Sequence, residues 1–330
     1  MTITIRDVAA AAGVSTATVS RALRGLPNVD GATRERVLSV AREMDYVISP
    51  SASRLASGRT GSIAVVTPYV ARWFFGQVLS GVEAVLQGSG TDLLLMGADP
   101  EQGPIAHRIR RRVDGVLVIT LAPDDPTLHE VLALGLPTSL IGVRLDEVPG
   151  VSIDDVAAGR AATEHLLSLG HARIAVIDST PEQLAGTAAD ARYRGYVSAL
   201  AERGIEPDPL LRGFGWFSLE GGERAMHELL TQRPSAVFAM SDEMAFGAMR
   251  AMRAQGLVPG QDIAIVGIDG HEMSAYLDLT TVVQPARELG VIAATTLLQQ
   301  ISGVEAPATL PHIELPTTLV VRGSTTGMPQ

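Results

Sequence analysis

Apolar residues follow two rhythms along this chain. Over the first 45 positions they recur every three or four residues, the period of an amphipathic helix. Thr4-Ile5-Arg6-Asp7 reads as a helix start, with Thr4 as cap and Asp7 reaching back as in a capping box. Asp7 also suits the positive end of the helix dipole. This helix runs to about Ala12. Gly13-Val14-Ser15 then makes a tight turn, with Gly13 free to take positive φ. Ser15 caps a second helix over about 16–24. A third helix, over about 32–44, starts behind Asp30 and places Val37, Val40, Ala41 and Met44 at i, i+3, i+4 and i+7. Val8, Ala12, Val14, Val19 and Leu23 are spaced to face one small core. Two short helices joined by a three-residue turn containing glycine match a helix-turn-helix.

Beyond residue 60 the pattern changes. Apolar runs recur at 62–67, 92–96, 115–120, 138–143, 173–178, 236–240 and 263–268, with amphipathic stretches between them. Such strands, alternating with helices of 10–15 residues, predict parallel sheets covered on both faces. Two successive sets predict two Rossmann-like lobes. Ligands of open α/β sheets bind beyond the carboxyl ends of the strands, so the cleft between lobes is the expected pocket. Between the two regions, Ser49, Pro50 and Gly58 outline a helix of about eight residues. That is too short to be stable alone in water. Leu55 is its one large apolar side chain. It is suited either to wedging into a DNA minor groove or to packing on a neighbouring domain.

Composition narrows the function. The 330 residues contain no cysteine, which excludes disulfides, thiolate chemistry and Cys-ligated metals. Lysine is also absent, which excludes the lysine of a phosphate-binding loop and any Schiff base. No run of eighteen apolar residues predicts a membrane span. The N-terminus lacks a secretory pattern, so a cytoplasmic protein is expected. Residues 1–60 hold eight arginines against five acids, a charge of +3; the remaining 270 residues carry 18 bases against 31 acids, or −13. A basic head on an acidic body suits a polyanion gripped by the head alone.

In a helix-turn-helix the second helix enters the major groove and its N-terminal residues meet base edges. Thr16, Ala17 and Arg21 would form that face. Arg21 can contact guanine bidentately, for roughly 1–3 kcal/mol of discrimination. Thr4, Ser15, Thr18 and Ser20 suit phosphate oxygens. Arg24, Ala52 and Leu55 complete the candidate DNA-binding set. An ordinary three-helix bundle with solvated polar side chains would share much of this pattern.

The residues also resemble a family. ITIRDVAAAAGVSTATVSRAL, the Thr-Arg-x-Arg-Val of Thr33 to Val37, Tyr46 and ASRLASGRTGSIAVV look like the head and hinge of the lactose-repressor (LacI/GalR) family. EHLLSLGHARIAV, the Arg-x-x-Gly-Tyr of Arg192 to Tyr196, SDEMAFGAMRAM, DIAIVGID, LTTVVQP and LPTTLVVRGS continue it in order through the body. The resemblance implies an all-α helix-turn-helix head plus an α/β periplasmic-binding-protein-like body with two Rossmann-like lobes. The implied division is a DNA-binding domain over 1–48, a hinge over 49–60 and an effector-binding, dimerisation body over 61–330. Lobe one would take about 61–155 and 286–313, and lobe two about 156–285 and 314–330.

The implied function is a repressor whose body binds a small molecule and shifts its affinity for DNA. Its partners would be double-stranded DNA with a near-palindromic operator, a mono- or disaccharide effector and a second copy in a homodimer. A purine- or nucleoside-responsive regulator, or one dependent on a corepressor, is the alternative. By the same resemblance, Arg192, Asp269, Ser241 and Phe217 match effector-contacting positions. Asp242, Phe74, Phe75 and Gln284 join the candidate set. An arginine with a carboxylate can hold adjacent hydroxyls, and flat aromatic faces stack on sugar rings or bases. The sequence departs from the family pattern at Ile48-Ser49, Asp30, Ser241 and Gly142. Six residues follow LPTTLVVRGS without a heptad repeat, so no tetramerising helix is expected.

Catalysis finds no constellation. His227-Glu228 and His271-Glu272 lack a second histidine at metalloprotease spacing, no Gly-x-Ser-x-Gly elbow is present, and Gly267-Ile268-Asp269-Gly270 lacks the dinucleotide fingerprint. No enzyme activity, cofactor or metal is expected. A solute-binding protein would share the body but would need export and no helix-turn-helix.

Overall fold

The computed structural model describes residues 3–23, 25–46, 59–98, 103–180, 186–303 and 312–326. The chain divides into two units, Met1–Thr60 and Gly61–Gln330.

The first unit holds three helices: α1 (Ile5–Ala12), α2 (Thr16–Leu23) and α3 (Gly31–Glu43). Their boundaries follow local chemistry. The Asp7 carboxylate accepts from the Thr4 N–H at 2.8 Å and from its hydroxyl at 2.7 Å. Gly13 ends α1 at φ +68°, a conformation that costs glycine little. Ser15 Oγ accepts from Thr18 N at 3.1 Å and so caps α2. Asp30 does the same for α3 through Thr33 N at 2.9 Å. Val8, Ala12, Val19, Ala22, Val37 and Ala41 close the core between the helices. The expected hinge helix with Ala52 and Leu55, and the candidate Arg24, lie outside the described residues.

The second unit is built on two six-stranded sheets. The first contains β1 (Ser62–Thr67), β2 (Asp92–Gly97), β3 (Gly115–Ile119), β4 (Thr138–Ile141), β5 (Gly150–Ile153) and, far on in the chain, a strand at His312–Leu315. The helices among them are α4 (Trp73–Leu86), α5 (Ile105–Ile109) and α6 (Pro126–Leu132). The second sheet contains β6 (Ile174–Asp178), β7 (Arg212–Phe214), β8 (Ala236–Ala239), β9 (Ala264–Asp269), β10 (Thr280–Val283) and a last strand at Thr318–Val320. Its helices are α7 (Asp155–Ser168), α8 (Ala188–Ala201), α9 (Leu219–Leu230), α10 (Asp242–Ala254) and the short α11 (Met273–Tyr276). Then follow α12 (Ala286–Ser302), β11 and β12, the two late strands just named, and α13 (Gly323–Thr326).

The orders are β11-β5-β4-β3-β1-β2 and β12-β10-β9-β8-β6-β7, and every pairing is parallel except the antiparallel β10–β12. Every residue of β1, β3, β4, β6, β8 and β9 is buried, which is why those strands are the continuous apolar runs of the sequence. Three connections join the lobes, after Ile153, at 284–285 and at 316–317. Because β11 keeps 312–315 in the first sheet, the third connection falls slightly later than the expected 314. Strands β5, β7, β10, β11 and β12 are not among the apolar runs, being three or four residues long or lying at an edge. Among the described residues no helix is long and apolar enough to cross a membrane.

Helices α7 and α8 pack with backbones nearly in contact. A Cβ on Gly159 of α7 would collide with the Arg192 carbonyl of α8, and one on Gly195 with the Val156 carbonyl. Glycine at both places lets α8 lie hard against α7. One helical turn from Gly195, Arg192 is thereby carried to the N-terminus of α7 and to Asp155.

Candidate DNA-binding face and ligand pocket

In the head, Val19 and Ala22 of α2 point into the core. The opposite face therefore carries Thr16, Ala17 and Arg21, all exposed, with Ser20 partly so. Ser15, at the helix entry, is exposed. Thr18 is half-buried, its hydroxyl 2.9 Å from Ser15 Oγ. Thr4 is exposed at the start of α1. These seven residues thus sit on or beside one polar surface, as base readers and phosphate donors require.

In the body, the strand ends of both lobes wall a cavity of about 220 Å³. The first lobe contributes Tyr69, Arg72, Phe74, Phe75, Thr120 and Gly142; the second contributes Asp155, Asp178, Arg192, Phe217, Ser241 and Asp269; Gln284 stands on a connection between them. Seven of the eight sequence-predicted residues are brought together here.

Arg192 is the fifth residue of α8. It is 5% exposed. Its Nε donates to Asp155 Oδ1 at 2.8 Å and its Nη1 to the Met240 carbonyl at 2.6 Å. Burial pushes the Asp155 carboxyl above its usual range, and the guanidinium pulls it part of the way back. Asp269 is equally buried. Gln284 Nε2 donates to its Oδ1 at 2.6 Å, and the Gln284 N–H holds its carbonyl at 3.2 Å. Burial pushes its carboxyl up to about 8; Arg192 opposes that shift and the charge of Asp242 adds to it. Ser241 spends its Oγ lone pair on Met244 N, capping α10 at 3.3 Å.

The aromatics serve two purposes. Phe75 belongs to the first-lobe core, and Phe74 and Phe217 pack against the cores of their lobes, while all three face the cavity. Trp216 is 40% exposed and lies outside it, against the Arg224 guanidinium 4.7 Å away. Thr120, Phe217 and Asp269 all have positive φ, 51°, 50° and 140°. Strain of this kind concentrates where a fold holds side chains for a ligand.

Asp242, expected beside Ser241 in the pocket, is turned elsewhere. Its carboxylate accepts from Gly270 N (3.0 Å), His271 N (2.8 Å), Ser274 Oγ (2.7 Å) and Thr281 Oγ1 (2.6 Å). It is fully buried and organises the segment after β9. Five acids missed in the sequence line the cavity, Asp125, Asp155, Asp178, Asp190 and Glu243, and two of them are held by buried or half-buried guanidiniums. Asp155 pairs with Arg192. Asp178, at the end of β6, accepts from Ser179 N at 2.6 Å and from Arg212 Nε at 3.0 Å. Asp178 closes a strand just as Asp269 does, so the same strand-end signal identifies it.

The lobes also touch at the edge of the cleft. Trp73 of α4 stacks on the His271 ring with centroids 5.0 Å apart, its indole N–H donates to Glu272, and its backbone N–H approaches Glu243 at 3.4 Å.

Comparison with known proteins adds the following. Residues 4–49 match the family model described as bacterial regulatory proteins, lacI family, and residues 163–325 match a periplasmic binding protein-like domain. The HTH-type transcriptional repressor CytR of Escherichia coli (strain K12) is 36% identical over 99% of this chain and 97% of its own. The lac repressor dimer bound to operator and the anti-inducer ONPF superposes with TM-score 0.86 at 29% identity, covering 99% of this chain and 100% of that one. The transcriptional regulator CelR–cellobiose complex superposes with TM-score 0.73 at 33% identity, covering 98% and 99%.

Proposed function

This chain belongs to the lacI family of bacterial regulatory proteins, and on that premise we propose how its two units divide the work of a ligand-responsive transcriptional repressor. It is a DNA-binding regulator and not an enzyme. In our reading α2 lies in the major groove, with Thr16, Ala17 and Arg21 at the base edges and Thr4, Ser15, Thr18 and Ser20 on phosphates. Two copies bind a near-palindrome as a homodimer, one head to each half-site. Arg24, Ala52 and Leu55 extend this DNA-contacting set, Leu55 as a minor-groove wedge. The domain division is 1–48, 49–60 and 61–330.

The effector we assign is a mono- or disaccharide, held in the cleft by Arg192, Asp269, Ser241 and Gln284 and flanked by Phe74, Phe75 and Phe217. The observation that carries this is the Arg192–Asp155 pair at the cavity wall with Asp269 beside it: fixed, buried polar groups between aromatic faces. The cellobiose bound by CelR is a ligand of the same class. Binding changes the angle between lobes and so alters the affinity for DNA. A coupling of about 1–3 kcal/mol gives a 5–150-fold switch.

The test is fluorescence anisotropy of full-length protein on a labelled near-palindromic duplex, titrated with cellobiose and other sugars. Arg21→Ala is expected to weaken specific binding by about tenfold or more. Arg192→Ala is expected to leave DNA binding intact and abolish the sugar response. A sugar response that survives Arg192→Ala removes the pocket assignment. Unaltered operator affinity in Leu55→Ala removes the wedge.

A further inference from the structure

We propose that the body carries a DNA-contacting surface of its own: the arginine run at 108–112, which grips phosphates of the duplex that the head holds.

The charge pattern is the first observation. The 270 residues of the body carry a net charge of −13, yet four of their 18 bases, Arg108, Arg110, Arg111 and Arg112, fall within five residues. His107 precedes them. Between 103 and 116 the only acid is Asp114. A cation near a helix C-terminus complements the dipole, and Arg108 in the last turn of α5 supplies it. The three arginines that follow exceed that need.

Their surroundings are the second. Arg110, Arg111 and Arg112 are exposed. Arg108 Nη1 donates to the Gly97 carbonyl and Arg112 Nη1 to the Arg108 carbonyl, both at 3.2 Å. None of the four forms an ion pair among the described residues, and Arg110 and Arg111 have no side-chain partner among them. Arg111 stands at φ +59°, the left-handed place past a helix end that glycine usually takes. The chain keeps a charged, unpacked side chain there at a cost in backbone strain.

Position is the third. Val113 turns into the core of lobe one. The Asp114 N–H donates to the Ser62 carbonyl at 2.7 Å, and Asp114 Oδ2 accepts from the Gly61 N–H at 2.7 Å. Arg112, two residues earlier, is within about 7 Å of Asp114 along the backbone. The run therefore lies where the chain enters the body, at the amino ends of β1 and β3 and away from the cleft. Asp92 and Asp114 stand at the same end, and four guanidiniums outweigh them. The backbone from Tyr46 to Gly61 spans at most about 55 Å, so a duplex held by the head is within reach of this end.

Guanidiniums laid on a duplex release counterions, and phosphate contacts carry no sequence information. The run thus adds affinity and salt dependence but no specificity. One positive spot on an otherwise acidic body also fixes which end faces the duplex, since the rest of the surface is repelled.

The experiment is fluorescence anisotropy of full-length protein on a labelled, mixed-sequence duplex of about 60 base pairs, over roughly 50 to 200 mM NaCl. In Arg110→Gln/Arg111→Gln/Arg112→Gln the log–log salt slope is expected to flatten by about 2–3 per chain, so that the parent loses roughly fortyfold more affinity across the range. The control Arg203→Gln/Arg233→Gln/Arg253→Gln removes the same charge from exposed sites of lobe two and is expected to keep the parental slope. Equal flattening in both variants overturns the proposal, because net charge would then be the cause. A parental slope in the run variant overturns it and leaves the surface to an acidic protein partner. Absence of parental binding over this range overturns it as well.

A single change guards against misfolding. Arg111→Gly removes one charge and eases the backbone. It is expected to melt no lower than the parent and to flatten the slope by about 0.9. An unchanged slope in that variant overturns the contact.

Discussion

Asp242 lies just beyond the carboxyl end of β8 and Asp269 ends the adjacent β9, and both are at most 5% exposed. Asp242 receives four hydrogen bonds from the segment after β9 and from β10. The side chain of Asp269 accepts from Gln284 and is also engaged by the backbone N–H of Asp242, and it otherwise faces the cavity. Burial raises both carboxyls. The difference lies in who completes each one. Asp242 is finished by the fold and acts as a structural anchor. In the function proposed above, Asp269 keeps its remaining acceptor capacity for the effector. A buried carboxylate is thus assigned to stability or to binding by the origin of its donors, and burial alone does not separate the two.

The sharpest way to break this contrast is Asp242→Ala. It strands four buried donors and is expected to cost about 3–5 kcal/mol, seen as a fall of roughly ten degrees in the melting transition of the body. A fall no larger than that of an exposed aspartate variant would deny Asp242 its anchoring role. Arg192→Ala comes next. It is expected to weaken effector binding by at least about a hundredfold in calorimetric titration and, by leaving Asp155 buried without its partner, to lower the melting transition too.

Asp269→Asn isolates the other side of the comparison. In the folded chain Asp269 keeps its proton up to about pH 8, whereas its ordinary value is 3.8. The folded state therefore binds the extra proton between those limits, and this group lowers stability as pH rises from about 4 to 8. The ligand-free parent is expected to lose melting temperature over that interval more steeply than Asp269→Asn. Parallel curves would place the titration elsewhere. Ser274→Ala is the mildest change. It removes one of the four donors to Asp242 and is expected to cost about 1–2 kcal/mol in denaturant unfolding, with effector affinity unchanged.

The sequence carried the parts of the structure whose causes are local. Thr4, Asp7, Gly13 and Asp30 announce helix ends because a cap is satisfied within three residues. The buried central strands announce themselves because both faces are covered. Strands β7, β11 and β12 are short, sit at sheet edges and are partly exposed, so no apolar run marks them. The pocket was legible where a motif fixes a residue, as at Arg192, Ser241 and Asp269. The distinct fate of Asp242 was not. Its donors lie 28 to 39 residues onward and reach it only after β9 and β10 have paired. Asp155 and Asp178 acquire their meaning from guanidiniums 37 and 34 residues away.

The stacking of Trp73 on His271 has an optical consequence. The chain has only two tryptophans, and the other, Trp216, is half in solvent on a single lobe. Trp73 alone bridges the lobes, so its indole emission is a built-in gauge of the gap between them. Any rotation that slides the ring off the imidazole or frees its N–H from Glu272 changes its quenching and its colour. With Trp216→Phe as background, the molecule reports its own switching in real time, without a label and without DNA.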